Sequence, residues 1–331
     1  MRDRWTGRTV LVTGALGFIG SHFVRHLAAR GADVLALHRT ERPAVRAELT
    51  ARTGLPEHGR IRFVRTDLRD ETDVRGAFKY LAPAIDTIVH CAAMDGNAQF
   101  KLERSAEILD SNQRTISNVL HCVRDFGVGE VVVMSSSELY CAEPTTATRE
   151  EDDFRRSMRY TGNGYVLSKT YGEILARLHR EQFGTNVFLV RPGNVYGPGD
   201  SFDASRQRVI PSMLARADAG EEIEIWGDGS QTRSFVHVSD LVRASLRMVE
   251  TGKYPEMNVA GTEQVSILEL ARMVMTVLGR PERIRLDPDR PVGAPSRLLD
   301  LTRMSEVIDF EPQPLRAGLE ETARWYRLHK R

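Results

Sequence analysis

Six short runs in the N-terminal part of the chain are apolar almost throughout: Thr9–Val12, Asp33–Leu37, Ile61–Val64, Thr87–His90, Val131–Met134 and Val187–Val190. A strand half exposed to water alternates apolar with polar residues, whereas an unbroken β-branched run needs cover on both faces, as in a parallel sheet between helical layers. The intervening stretches Ile19–Arg30, Val74–Leu81, Glu103–Phe126 and Tyr165–Phe183 carry helical periodicity. The pattern predicts an α/β fold with a doubly wound, Rossmann-like parallel sheet.

After Gly197-Pro198-Gly199-Asp200 the rhythm shortens. Helices are expected near Val209–Ala219, Ser239–Glu250, Ser266–Leu278 and Leu315–Leu328, with a strand at Glu222–Trp226 and a turn at Gly227-Asp228-Gly229. A chain of 331 residues suits one large domain and one small one. The expectation is a dinucleotide-binding domain over 1–195 and a smaller mixed α/β substrate domain over 196–331, with some strands free to return to the first. The polar stretch Glu143–Gly164, with Glu150-Glu151-Asp152-Asp153 ahead of Arg155-Arg156, reads as a mobile surface insertion near the site.

A formal net charge of +1 supplies no field to gather nucleic acid or an anionic membrane, so an anionic ligand must be held by a local site. Trp5, Trp226 and Trp325 are too scattered for a base-stacking platform, and no histidine pair at ligand spacing comes with a carboxylate, so neither nucleic acid nor a metal is expected. The N-terminal residues lack a signal-like apolar core, and no apolar run is long enough to span a bilayer; the expectation is a cytoplasmic protein without a membrane partner. Cys91, Cys122 and Cys141 share no clip spacing and read as reduced, small apolar residues.

Gly14-Ala15-Leu16-Gly17-Phe18-Ile19-Gly20 follows the first apolar run and opens the first helix. Glycines there permit a tight turn, close approach of a pyrophosphate and helix-on-strand packing, while the helix N-terminus offers free N–H donors. Farther on, Tyr165 and Lys169 lie four residues apart on one helix face, after Ser135-Ser136-Ser137-Glu138 at the end of the fifth run. A nearby ammonium favours phenolate, so the Tyr165 pKa is expected to be lowered toward the working pH.

Together these motifs resemble the extended short-chain dehydrogenase/reductases, specifically the nucleotide-sugar epimerase/dehydratase/reductase family. The resemblance implies a nicotinamide dinucleotide held by Gly14, Gly17, Phe18, Ile19 and Gly20, with Asp67-Leu68 at adenine. Cys91-Ala92-Ala93, Lys169, Pro192 and Val195 would lie along the rest of the cofactor. At the ribose position after the second run stands Arg39, where an acid is usual; a guanidinium there suits a 2′-phosphate, favouring NADP(H), with NAD(H) the alternative. Ser136, Tyr165 and Lys169 are the implied catalytic set, with Ser136 stabilising charge on the oxygen that Tyr165 protonates or deprotonates.

Arg191-Pro192-Gly193-Asn194-Val195-Tyr196-Gly197-Pro198 and Gly227-Asp228-Gly229-Ser230-Gln231-Thr232-Arg233 continue the resemblance. They imply a nucleotide-diphosphate sugar as partner, with Ser137, Asn194, Arg208, Val209, Arg233 and Arg297 at the substrate. By the same resemblance Glu103–Phe126 and Tyr165–Phe183 would form a four-helix homodimer contact. The C-terminal half looks most like GDP-fucose synthase, which carries a cysteine where this chain has Glu138 and a histidine where it has Arg208. A guanidinium is always charged and cannot serve as base, whereas ketone reduction needs only Ser136, Tyr165, Lys169 and a hydride.

The expected activity is NADPH-dependent C4 reduction of a nucleotide 4-keto-6-deoxyhexose. Glu138 keeps a second group open, because Ser136-Ser137-Glu138 also resembles the corresponding run of GDP-mannose 4,6-dehydratase and UDP-glucuronate decarboxylases. A 4,6-dehydratase, decarboxylase or 4-epimerase with retained NAD(P) is therefore the alternative, with Glu138 as a further catalytic group. A non-catalytic NADP-binding protein is a third reading, disfavoured by the presence of both Tyr165 and Lys169.

Overall fold

Every apolar run becomes a strand of one sheet. In the computed structural model, which describes residues 3–51, 60–81, 85–140, 147–152, 162–204, 207–290 and 295–330, the first half of the chain alternates strand and helix. Its elements are β1 (Thr9–Thr13), α1 (Phe18–Ala29), β2 (Asp33–His38), α2 (Pro43–Thr50), β3 (Ile61–Arg65), α3 (Glu71–Leu81) and β4 (Thr87–His90). They continue with α4 (Ala98–Glu103), α5 (Ser105–Phe126), β5 (Glu130–Met134), α6 (Gly164–Phe183) and β6 (Asn186–Pro192). The second half contributes β7 (Asn194–Tyr196), α7 (Val209–Asp218), β8 (Ile223–Trp226), β9 (Thr232–His237), α8 (Val238–Thr251) and β10 (Glu256–Val259). It ends with β11 (Gln264–Ser266), α9 (Ile267–Leu278), β12 (Ile284–Asp287), α10 (Thr302–Val307) and α11 (Leu315–His329).

The main sheet has seven strands in the order β10-β6-β5-β4-β1-β2-β3, all parallel. Its strands therefore end on one edge, where Thr13 lies beside His90 and Met134 beside Val190. One face buries Phe23, Leu27, Val242 and Met257 under α1 and α8; the other buries Phe78, Ile88, Leu120 and Leu189 under α3, α5 and α6. β10 and α8 come from beyond residue 196 in the chain yet complete this layer. A separate core of Ile210, Leu214, Ile225, Leu270, Val274 and Leu319 joins α7, α9 and α11 to β8.

Two local details differ from expectation. The helical stretch at Glu103 is divided: α4 ends at Arg104, whose φ of −116° and ψ of 27° break the hydrogen-bond ladder, and α5 starts afresh. Of the polar segment 143–164, only 147–152 and 162–164 are among the described residues. There Glu150 is not a solvated surface charge; it is buried and accepts the backbone N–H of Asn258 at 2.7 Å.

α6 is anchored to the sheet through Glu173. Its carboxylate takes both arms of Arg191 at 2.8 and 2.7 Å, and the hydroxyl of Ser135 at 2.5 Å. Both Arg191 and Glu173 side chains have 0% exposure. Removing one member of a buried pair strands the other in low dielectric. Glu173→Gln should cost about 3 kcal/mol of unfolding free energy, measured by urea denaturation; a loss indistinguishable from that of a surface Glu→Gln control would contradict this account.

Candidate active site

The turn after β1 makes the cofactor cradle. Gly14 has φ +64°, and a Cβ there would stand 3.0 Å from the backbone of Ala92, so the turn lies directly on the end of β4. A Cβ on Gly20 would meet the Gly14 carbonyl oxygen at 2.2 Å, which forces glycine where helix crosses strand. Gly17 begins α1 without a side-chain cap, and the first turn of the helix, starting with Phe18 and Ile19, contains no acid. Uncapped N–H groups and the positive helix end suit a pyrophosphate. Thr13 steadies the neighbouring turn, its hydroxyl 3.0 Å from His90 Nδ1 and accepting from the Ala92 N–H at 3.1 Å. Burial holds the His90 imidazole neutral, its pKa lowered to about 3, and raises the Cys91 thiol to about 12.

The far end of the cradle lies at the tips of β2 and β3. Arg39 is exposed there and close enough to Asp67 to help lower the pKa of its carboxyl, although the hydrogen bond from Arg69 is the main cause. Asp67 is thus engaged by Arg69, at 3.0 Å from Nε and 2.6 Å from Nη2. Leu68 is buried, its carbonyl accepting from Asn118 at 2.9 Å.

The predicted catalytic side chains come together at the ends of β5 and α6. Asn163 caps α6, accepting from the N–H groups of Tyr165 and Val166 at 3.1 and 3.3 Å. A Cβ on Gly164 would fall 1.8 Å from the Ser105 carbonyl oxygen, so glycine is required for α6 to start against α5. Ser136 is buried, and its hydroxyl accepts the Glu138 N–H at 3.1 Å and interacts with the Tyr165 phenol. Asn112, which the sequence reading passed over, links α5 to α6 by donating to Ser168 Oγ at 3.1 Å. With His90, Ala92, Met134 and Lys169 it lines a small cavity.

The electrostatics of Tyr165 reverse the expected sign. Its phenol is pushed well above the ordinary tyrosine range by burial, then by the negative charges of Asp95 and Glu138; Ser136 and Arg208 oppose them weakly. The Lys169 ammonium is not spent on the phenol, because it donates to the Met134 carbonyl at 2.7 Å and lies 5.7 Å from the Tyr165 ring centroid. Burial also lowers the Lys169 pKa. The cation nearest the ring is Lys101 on α4, 3.8 Å from its centroid, a residue no sequence motif singled out.

The expected substrate residues form a trail away from Tyr165. Ser137 is half-buried beside Ser136, and Asn194 ties β7 to β9 by donating to the Ser234 carbonyl at 3.1 Å. Pro192, at the end of β6, and Val195, within β7, are buried. Val209 opens α7, directly after Arg208, which pairs with Asp200 at 2.8 Å and lies 5.4 Å from the Phe18 ring. Arg233 and Arg297 approach one another, and among the described residues neither has a carboxylate partner; burial, then Arg297, lowers the Arg233 pKa. Two uncompensated guanidiniums suit a diphosphate.

Comparison with known proteins identifies the family and the fold. The model of the NAD dependent epimerase/dehydratase family matches residues 10–260. The chain is 87% identical over 329 residues, 99% of each sequence, to dTDP-4-dehydro-6-deoxy-D-allose reductase of a Streptomyces species. It is 28% identical to GDP-L-fucose synthase of Escherichia coli over 96% of each chain. Among solved structures, a double mutant of the dTDP-glucose 4,6-dehydratase of Streptomyces venezuelae with NAD bound superposes with a TM-score of 0.83 at 27% identity, covering 97% of each chain.

The cradle yields a direct test. Gly14→Val puts a β-branched residue at positive φ against the Ala92 backbone and should weaken dinucleotide binding on the order of tenfold or more, about 1.4 kcal/mol. Fluorescence titration with the reduced dinucleotide reads the effect; unchanged affinity would remove this turn from the cofactor site.

Proposed function

Because the chain belongs to the NAD dependent epimerase/dehydratase family, we propose that it reduces the C4 ketone of dTDP-4-dehydro-6-deoxy-D-allose with NADPH. The observation that carries this reading is the 87% identity, over 99% of both chains, to dTDP-4-dehydro-6-deoxy-D-allose reductase, together with the Tyr165 phenol standing beside the Ser136 hydroxyl. Reduction requires a proton donor at the ketone oxygen, and a phenol whose ionisation is suppressed stays loaded with its proton. Ser136 orients and polarises the oxygen, Tyr165 protonates it, and Lys169, held by the Met134 carbonyl, is placed for the nicotinamide ribose. The reduced nicotinamide, when bound, supplies the hydride to C4. Arg233 and Arg297 clamp the diphosphate, with Asn194, Ser137, Arg208 and Val209 along the sugar and base.

The choice of NADP(H) over NAD(H) rests on Arg39, which is exposed and acts on Asp67 only through space, that carboxylate being paired with Arg69. A dehydratase or decarboxylase that used Glu138 as a proton carrier would need it free, and Glu138 is bound to Lys101 at 2.6 Å. We also propose a homodimer through α5 and α6, where Leu178 and Phe183 are exposed; light scattering at twice the chain mass checks it. A cytoplasmic location remains part of this reading, and among the described residues no helix is long and apolar enough to cross a membrane.

Purified protein mixed with this ketosugar should consume NADPH, followed by absorbance, and prefer it to NADH on the order of tenfold, a preference that Arg39→Ala erodes. Tyr165→Phe should lower kcat roughly 10²–10⁴-fold. The acid form is the active one for reduction, so kcat should stay flat across neutral pH and fall only as alkaline pH ionises the phenol. A kcat that rises with pH through the neutral range would mean that Tyr165 acts as phenolate.

A further inference from the structure

On the substrate side of Tyr165 sits a lysine that the reduction itself does not use. Lys101 Nζ lies 2.6 Å from Glu138 Oε1, 3.2 Å from Asp95 Oδ1 and 3.8 Å from the Tyr165 ring centroid. Its side chain is only 9% exposed. The placement is built into the chain: Asn97 caps α4 by accepting from the Phe100 N–H at 2.9 Å. A Cβ on Gly96 would strike the Phe100 ring at 2.6 Å, so a side chain here would displace that ring, which packs with Tyr165.

A 4-ketosugar is acidified at the carbons flanking its carbonyl. A carboxylate free to act beside that carbonyl could break a C–H bond there, take the proton and leave the electron pair delocalised onto the ketone oxygen. Return of a proton to either face of that carbon would restore the ketone, with epimerisation as one outcome. Glu138 stands one short turn from Ser136 and so beside the expected ketone. An oxygen already accepting from a buried ammonium can take a substrate proton only by leaving that cation partly uncompensated. Arg208, the other charged group acting on Tyr165 from the α7 side, is paired with Asp200 and cannot be a base.

We propose that Lys101 is the specificity-determining residue of this site: its ammonium ties down the Glu138 carboxylate, so that the enzyme reduces C4 without exchanging protons at the neighbouring carbons. The proposal rests on the ketosugar reading above, and its test separates the two. The protein is incubated in D2O with NADP+ and dTDP-4-dehydro-6-deoxy-D-allose, so that no hydride is available, and carbon-bound deuterium in the recovered ketosugar is read by mass spectrometry against a protein-free control.

The wild-type protein and Lys101→Arg should stay at the control level. Lys101→Met should wash in deuterium on the order of tenfold faster, and Lys101→Met combined with Glu138→Gln should lose that gain. Lys101→Gln replaces Lys101→Met if circular dichroism shows the latter unfolded. Wash-in by the wild-type protein, none in either folded single variant, or wash-in that persists without Glu138 would each overturn the proposal. Failure of the wild-type protein to oxidise NADPH would instead sink the reductase reading, whatever the deuterium shows.

Discussion

The carboxylate of Glu173 joins three elements whose relative position decides everything at the sheet edge. It lies four residues beyond Lys169 and eight beyond Tyr165 on the inner face of α6. It receives Arg191 from the end of β6 and Ser135 from the end of β5, immediately before Ser136. The helix carrying phenol and ammonium is thereby held in register with the strand carrying the hydroxyl. Arg191 extends the lock by donating to Tyr140 at 2.6 Å, whose own hydroxyl donates to Asn258 of β10 at 2.8 Å. A fully buried ion pair is poor value for stability compared with packed hydrocarbon. Here it fixes geometry where a hydrocarbon contact could slide.

That fixed frame lets charge placement set the chemistry. Two carboxylates and burial keep Tyr165 protonated, while the Lys169 ammonium is directed to a backbone carbonyl. The same carboxylates could threaten side chemistry in a site holding an acidified sugar, and both meet the single ammonium of Lys101. On the proposed reading, proton donation at one atom and the absence of exchange at its neighbours would come from one cluster.

Much of this was legible in the sequence, for identifiable reasons. Strands covered on both faces must be apolar throughout, so the six main runs announced themselves, and the glycine turn and the Tyr165–Lys169 spacing stood in fixed relation to them. Short elements such as α4, β11 and β12 span too few residues to show a period. The sign of the Tyr165 shift was not legible, because sharing a helix face does not decide where a long flexible ammonium ends. Lys101 was invisible for a related reason: its contact with Glu138, 37 residues away, exists only once the chain is folded. Glu150 was misread because a charge run in sequence carries no sign of the buried Asn258 N–H that claims one of its members.

The contrast between the two ends of the substrate trail has an energetic consequence. Around Tyr165, charges are paired before any ligand arrives, so little reorganisation is left to the moment of reaction. At Arg233 and Arg297 two cations approach each other without a counter-charge among the described residues, and burial together with that repulsion already lowers the Arg233 pKa. On the proposed reading a diphosphate would relieve this repulsion on binding, and that attraction would act on a group other than the reacting carbon. Binding energy gained at a remote, unreacting group can be spent on holding the sugar ring in one orientation. The ketone is then presented to a preset proton donor, and the sugar that follows the diphosphate need satisfy only shape and the few polar contacts along β7 and α7.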